Sequence, residues 1–166
     1  IICIRDPFET INSMVKVHNK FLEQSKKDIF FSKKLDFLCH YEFGKERKPF
    51  NLNYENYKKT LNYWETNDNH NGYLLQWIDF YNYLEKDILS MDYLKKNIYV
   101  VDNSEIYRGS SSIAKLEEFC NIKLEFNQNN LLKEKKSSSI EKEKLKNLKY
   151  SSLALEIYEK IRNKYS

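Results

Sequence analysis

The sequence predicts an α/β fold in which helices flank a parallel sheet and make up most of the chain. Two short apolar runs, residues 1–4 and 98–101, have the length and composition of buried strands, and such strands are typical of parallel sheets. Each run leads through a polar turn into a helical segment, as strands do in α/β proteins. Only these two runs are typical of strands, so we expect a mostly helical chain.

The first predicted strand leads directly into a helix. Asp6 is placed to cap this helix, Pro7 suits its first position, and Glu9 completes a capping box with Asp6. The residues that then recur at helical spacing are Phe8, Ile11, Val15, His18 and Leu22. Because His18 lies on this apolar face, we expect a core histidine with satisfied hydrogen bonds and not a catalytic base.

Two polar residues stand out where the strand meets the helix. Arg5 follows the strand, at the edge where open α/β sheets keep their ligand crevice, and Ser13 lies about two turns into the helix. A guanidinium, a hydroxyl and a helix N-terminus together suit a phosphate, and each charge-assisted contact contributes roughly 1.5–3 kcal/mol. The alternative is that Arg5 pairs with Asp6 or another carboxylate while Ser13 only packs.

The segment Ile-Arg-Asp-Pro-Phe-Glu-Thr-Ile-Asn-Ser resembles a nucleotide-binding motif of the sulfotransferases that use 3′-phosphoadenosine-5′-phosphosulfate (PAPS). That motif is a short apolar strand, then Arg-Asn/Asp/His-Pro, then a serine eight residues after the arginine. Arg5, Asp6, Pro7 and Ser13 match it position for position. The resemblance implies a three-layer P-loop-type fold, and it implies that Arg5 and Ser13 bind the 3′-phosphate of PAPS or of adenosine 3′,5′-bisphosphate.

Two later segments also resemble parts of this family. In residues 97–124, an apolar strand leads into an acidic turn containing Asp102 and Glu105, and a helix over residues 112–120 follows. Residues 153–161 are similar to the amphipathic helix that closes the domain. The resemblance therefore implies that residues 1–166 form a single, partial sulfotransferase domain.

The resemblance also implies parts that this chain lacks. In the family, a P-loop-like segment that holds the 5′-phosphosulfate and the catalytic base both precede the arginine motif. The three glycines, Gly44, Gly72 and Gly109, are isolated, so no glycine-rich loop of that kind is present. We therefore expect a domain truncated at its N-terminus, with an unknown catalytic base and no turnover by itself. The complete protein would transfer a sulfuryl group from PAPS to a hydroxyl or amine of a small-molecule or glycan acceptor.

Two stretches are predicted to be loops. Residues 25–53 have broken periodicity and a basic stretch at residues 45–48, and we expect a loop with one short helical piece there. The resemblance implies that this region contributes to the acceptor cleft. Residues 127–139 are polar and lysine-rich, and a solvated linker is favoured over a loop that closes on the cofactor.

Two helices with a turn between them are predicted in the middle of the chain, over residues 54–65 and 71–88. The second has an apolar stripe that includes Trp77, and Trp64 lies near the end of the first. Such aromatic residues could stack on a planar acceptor, but a place in the core is favoured.

Composition limits the other classes of function. The net charge of +4 is modest and spread out, and no nucleic-acid-binding motif is present. No run approaches the roughly 20 apolar residues of a membrane span. The cysteines lack metal-binding spacing, and we expect Cys3 and Cys120 to be small core residues. A cytoplasmic location is expected, with a lumenal, membrane-anchored parent as the alternative, and the oligomeric state stays open.

Two other classes of function remain alternatives. In a P-loop kinase or nucleotide hydrolase, Arg5 would contact the phosphate of ATP or GTP and magnesium would be required. In a non-catalytic helical interaction module, the aromatic stripes would bind a partner, and large apolar patches would be exposed.

Overall fold

The computed structural model is mostly helical, at 70%, with a small two-stranded parallel sheet. It describes residues 1–28, 30–37, 42–95, 97–108, 110–123 and 139–165. In chain order, the elements are β1 (Ile2–Ile4), α1 (Pro7–Lys27), α2 (Phe31–Phe37), α3 (Tyr54–Glu65), α4 (Asn69–Tyr83), a π-helical turn (Leu84–Ile88), α5 (Asp92–Lys95), β2 (Val100–Asp102), α6 (Asn103–Arg108), α7 (Ser110–Cys120), α8 (Ser139–Lys146) and α9 (Ser151–Tyr165).

The two strands pair in parallel, which confirms the prediction of a parallel sheet in a mostly helical chain. Ile2 lies opposite Val100, and Ile4 lies opposite Asp102. The carboxyl ends of both strands therefore meet at one edge of the sheet, directly before Arg5.

The first strand is not fully buried, and on this point the sequence prediction is wrong. Ile4 is 1% exposed, but Ile2 is half-buried and Cys3 is exposed. Successive side chains of a strand point to opposite faces of the sheet. On the face that carries Cys3, the described residues cover β2 but leave β1 exposed. Cys3 is consequently not a core residue, and Cys120, which is half-buried, is not one either.

Helix α1 begins at the cap that its sequence predicts. The backbone N–H of Glu9 donates to Oδ1 of Asp6 at 3.0 Å, and Pro7 occupies the first turn. His18 is 2% exposed, and the prediction of a core histidine is confirmed.

The helices α3 and α4 form the predicted pair, with Asn53 and Asp68 as their caps. Asn67 has a φ of 61°, a left-handed conformation that asparagine tolerates and that turns the chain between the two helices. The segment predicted as one helix over residues 71–88 is helical in two parts, because α4 gives way to the π-helical turn at Leu84.

Helix α4 lies at the centre of the core and packs against α1, α3 and α9. Trp64 and Trp77 belong to this core, at 7% and 5% exposure, as favoured from the sequence. The cluster that contains them also includes Ile4, Ile11, Val15, Tyr73, Leu74, Ile78, Leu84, Leu89, Val100, Ala154, Ile157, Tyr158 and Ile161.

In its described residues, the predicted loop over residues 25–53 contains one short helix, α2, and α1 extends into it as far as Lys27. The linker predicted over residues 127–139 lies outside the described residues, except that Ser139 begins α8. Among the described residues, no helix is long and apolar enough to cross a membrane.

Candidate functional site

The structure brings Arg5 and Ser13 together. Nη1 of Arg5 donates a hydrogen bond to Oγ of Ser13, with a distance of 3.3 Å between the two atoms. Arg5 directly follows β1, and the turn capped by Asp6 starts α1 two residues later, so the guanidinium lies along the first turns of that helix. This is the juxtaposition that a phosphate site would need.

The guanidinium of Arg5 also has an acidic partner. Its Nη2 lies 3.5 Å from Oε2 of Glu9, while Asp6 caps the helix and forms no ion pair with Arg5. The side chain of Arg5 is 36% exposed, whereas that of Glu9 is 7% exposed. The alternative in which Arg5 pairs with a carboxylate is therefore also present in the structure. Glu9 is the partner, and Arg5 contacts Ser13 at the same time.

The Arg5 side chain keeps hydrogen-bonding capacity in this arrangement. Its Nε is buried and has no hydrogen-bond partner in the described part of the chain. Buried donors without partners are rare and cost free energy, and an acceptor could reach this Nε only if the side chain of Arg5 moved.

The carboxyl end of the second strand is occupied by Asp102, which is 0% exposed. One carboxylate oxygen accepts from the backbone N–H of Ser104 at 2.7 Å, and the other accepts from the hydroxyl of Tyr158. Nε of Arg162 lies 3.4 Å from the same carboxylate. Burial and the hydrogen bond to Asp102 raise the pKa of Tyr158, so this tyrosine stays a donor. Asp102 thus joins β2 to α9 and is fully engaged in structural contacts.

A second polar cluster, centred on Arg47, was not identified from the sequence. Nη1 of Arg47 contacts Nε2 of His18 at 3.0 Å and donates to the hydroxyl of Tyr73 at 3.3 Å. Its Nη2 donates to Oδ1 of Asn69 at 2.6 Å. The guanidinium carbon lies 4.3 Å from the ring centroid of Trp64. The basic stretch at residues 45–48 was the only signal, and it does not distinguish a buried arginine from solvated neighbours.

Arg47 lines a pocket of about 380 Å³ between α1, α3 and the segment around Gly44. His18 forms part of its wall, and its Nδ1 lies 3.3 Å from the backbone N–H of Gly44, which donates to it. Burial, and secondarily the charge of Arg47, lowers the pKa of His18 to about 4. The imidazole is therefore neutral at physiological pH.

The described residues contain no cluster of three or more histidine, cysteine, aspartate or glutamate side chains that could hold a metal ion. In comparisons with known proteins, no protein family, curated protein or solved structure matches the chain. What points to a function is therefore the geometry around Arg5 and the motif that the segment around Arg5 resembles.

Proposed function

We propose that this chain is the part of a PAPS-dependent sulfotransferase that binds the 3′-phosphate of the nucleotide, in a domain of the three-layer P-loop type. The complete protein transfers a sulfuryl group from PAPS to a hydroxyl or amine of a small-molecule or glycan acceptor. The observation that carries this proposal is the contact between Arg5 and Ser13 at the carboxyl end of β1.

The chemistry of the two side chains supports a phosphate ligand. Arg5 offers a planar fork of N–H donors, and Ser13 offers a hydroxyl that rotates to suit an acceptor. Their mutual contact is long, at 3.3 Å, as is the contact of Arg5 with Glu9, at 3.5 Å. A phosphate oxygen would replace these contacts with shorter, charge-assisted ones, each contributing about 1.5–3 kcal/mol.

The position of the two residues supports a role in orienting the nucleotide. PAPS supplies the sulfuryl group, whereas its 3′-phosphate lies away from the reacting sulfur. Binding energy from a remote group of this kind holds a donor in the geometry that the reaction needs. Arg5 and Ser13 would anchor and orient the nucleotide, and no residue of this chain is assigned as the catalytic base.

Titration calorimetry of the complete protein with adenosine 3′,5′-bisphosphate tests the proposal. We expect Arg5→Ala to weaken binding about ten-fold or more and Ser13→Ala to weaken it about five-fold, because each removes a phosphate contact. Lys115→Ala, at an exposed position of α7, is the matched control and should bind as the wild type does.

Four results would contradict the proposal. One is unchanged affinity in Arg5→Ala. Another is equal affinity for adenosine 5′-monophosphate, which lacks the 3′-phosphate. The third is a preference for ATP with magnesium, which would favour a kinase or nucleotide hydrolase. The fourth is binding of neither nucleotide, which would favour an interaction module.

A further inference from the structure

The guanidinium of Arg47 has no carboxylate partner among the described residues. Its contacts are to the neutral groups of His18, Asn69 and Tyr73 and to the ring of Trp64. Each of the ion pairs found in this part of the chain involves another cation. Buried charges are normally paired, so this half-buried arginine, whose partners are all neutral, is able to take up an anion.

Arg47 also retains free donors. A guanidinium carries five N–H groups, and Arg47 donates two of them, to Tyr73 and to Asn69. The remaining donors are at least as many as the two that a carboxylate accepts in a bidentate pair.

The charge of the pocket fits an anion with a single charge. Arg47 and Lys45 are cationic, Glu65 is anionic, and His18 is neutral, so the lining carries one net positive charge. A doubly charged phosphate would be only half compensated there.

The pocket has room and apolar surface for the rest of a ligand. Its volume of about 380 Å³ lies within the range of small-molecule sites, roughly 300–1,000 Å³. Leu22 and Leu61 line it together with Trp64.

We propose that this pocket binds a small monocarboxylate, with Arg47 holding the carboxylate. The hydrogen bonds to Asn69 and Tyr73 and the contact with Trp64 fix the guanidinium before the ligand arrives, which reduces the entropy lost on binding. This site is separate from Arg5 and Ser13 and does not depend on the proposed function.

Titration calorimetry with two matched pairs of probes tests the site. In the first pair, benzoate carries a carboxylate on an aromatic ring and benzamide is its neutral analogue. In the second pair, glucuronate carries a carboxylate on a sugar and glucose is its neutral analogue. We expect at least one carboxylate to bind ten-fold or more tightly than its neutral analogue, and the better of the two identifies the body that the pocket accepts. Equal binding within both pairs, or no binding of either carboxylate, would overturn the proposal, as would tighter binding of inorganic phosphate or sulfate.

Variants identify the residues responsible. Arg47→Gln should weaken carboxylate binding ten-fold or more, whereas Lys115→Ala, at an exposed position of α7, should leave it unchanged. Lys45 and Glu65 are exposed at the rim, so their variants should fold even if Arg47→Gln does not. Lys45→Gln should weaken binding about three-fold, and Glu65→Gln should strengthen it about three-fold, through the charge of the pocket. A change of carboxylate affinity in the same direction in both rim variants, or no change in either, would contradict the proposed site.

Discussion

At the scale of single residues, the two arginines differ in what surrounds the guanidinium. Arg5 is 36% exposed and contacts the carboxylate of Glu9, so its charge is partly compensated. Arg47 is held by neutral groups and by an aromatic ring. A phosphate at Arg5 therefore competes with an internal anion, whereas an anion at Arg47 does not.

This competition predicts that Glu9→Gln increases the affinity for adenosine 3′,5′-bisphosphate. The substitution removes one negative charge beside Arg5 and keeps the backbone N–H that Asp6 caps. We expect an increase of about three-fold, since an ion pair of this exposure contributes about 0.5–1 kcal/mol. Titration calorimetry at low ionic strength measures the change in affinity. Weaker binding by Glu9→Gln than by the wild type would contradict a competition between Glu9 and the phosphate for Arg5.

The buried imidazole of His18 predicts a dependence of stability on pH. Its pKa is about 4 in the folded protein and about 6.5 when unfolded. Between these values the unfolded chain binds more protons, so the free energy of unfolding falls as the pH is lowered from 6.5 to 4. We expect His18 to account for a loss of about 2 kcal/mol, allowing for solvent screening.

Urea unfolding at pH 7.5 and pH 4.5 measures this loss, and His18→Gln should reduce it. Burial also lowers the pKa of His70, so His70 contributes to the loss as well. The variant His70→Gln measures that contribution separately from the contribution of His18. The same loss in wild type and His18→Gln would contradict the assignment to His18.

At the scale of elements, the close approach of α3 and α4 depends on a glycine. A Cβ atom added to Gly72 would lie 2.4 Å from Cδ1 and Nε1 of Trp64. Trp64 is 7% exposed and is packed in the core, so its ring has little freedom to move away. The absence of a side chain at position 72 therefore sets the spacing of the two helices.

Gly72→Ala is predicted to destabilise the protein, although alanine favours helices. The gain in helix propensity is about 1 kcal/mol, and overpacking typically costs 1–3 kcal/mol, which leaves a net loss of up to about 2 kcal/mol. Urea unfolding measures it. In a double-mutant cycle, the smaller ring of Trp64→Phe should reduce the penalty of Gly72→Ala, and strict additivity of the two substitutions would contradict the clash.

At the scale of the whole molecule, Asp102 joins the sheet to the C-terminal helix. The strand pairing places it opposite Ile4, and its carboxylate contacts Tyr158 and Arg162 of α9. Residues from the start, middle and end of the chain therefore meet at one edge of the sheet, which is the edge that carries Arg5.

Tyr158→Phe is predicted to loosen α9 from the sheet. The substitution removes one hydrogen bond to a fully buried carboxylate, and we expect a loss of about 1–3 kcal/mol. Hydrogen exchange of α9 and urea unfolding measure the effect. Tyr54→Phe, at a residue that is 60% exposed, is the control and should change neither. Unaltered exchange in Tyr158→Phe would contradict the link.

The local elements could be predicted from the sequence because their signals are local. The cap at Asp6 and the apolar spacing that follows it identified α1, and the range of α3 was predicted to the residue. The contact of Arg5 with Ser13 was also predictable, since both residues lie within three turns of the same strand-to-helix junction.

The positions of other residues depend on the fold and could not be predicted from local patterns. Cys3 was expected inside because its strand is apolar, yet its exposure depends on what covers the sheet. Arg47 is 29 residues from His18 and 26 from Tyr73, and packing of α1 against α4 brings the three together. The sequence by itself determined the longer helices α1, α3 and α4 and the polar pair at the end of β1. Only the tertiary structure decided which surfaces are covered and which cation lacks an anion, because burial and long-range contacts depend on segments far apart in the chain.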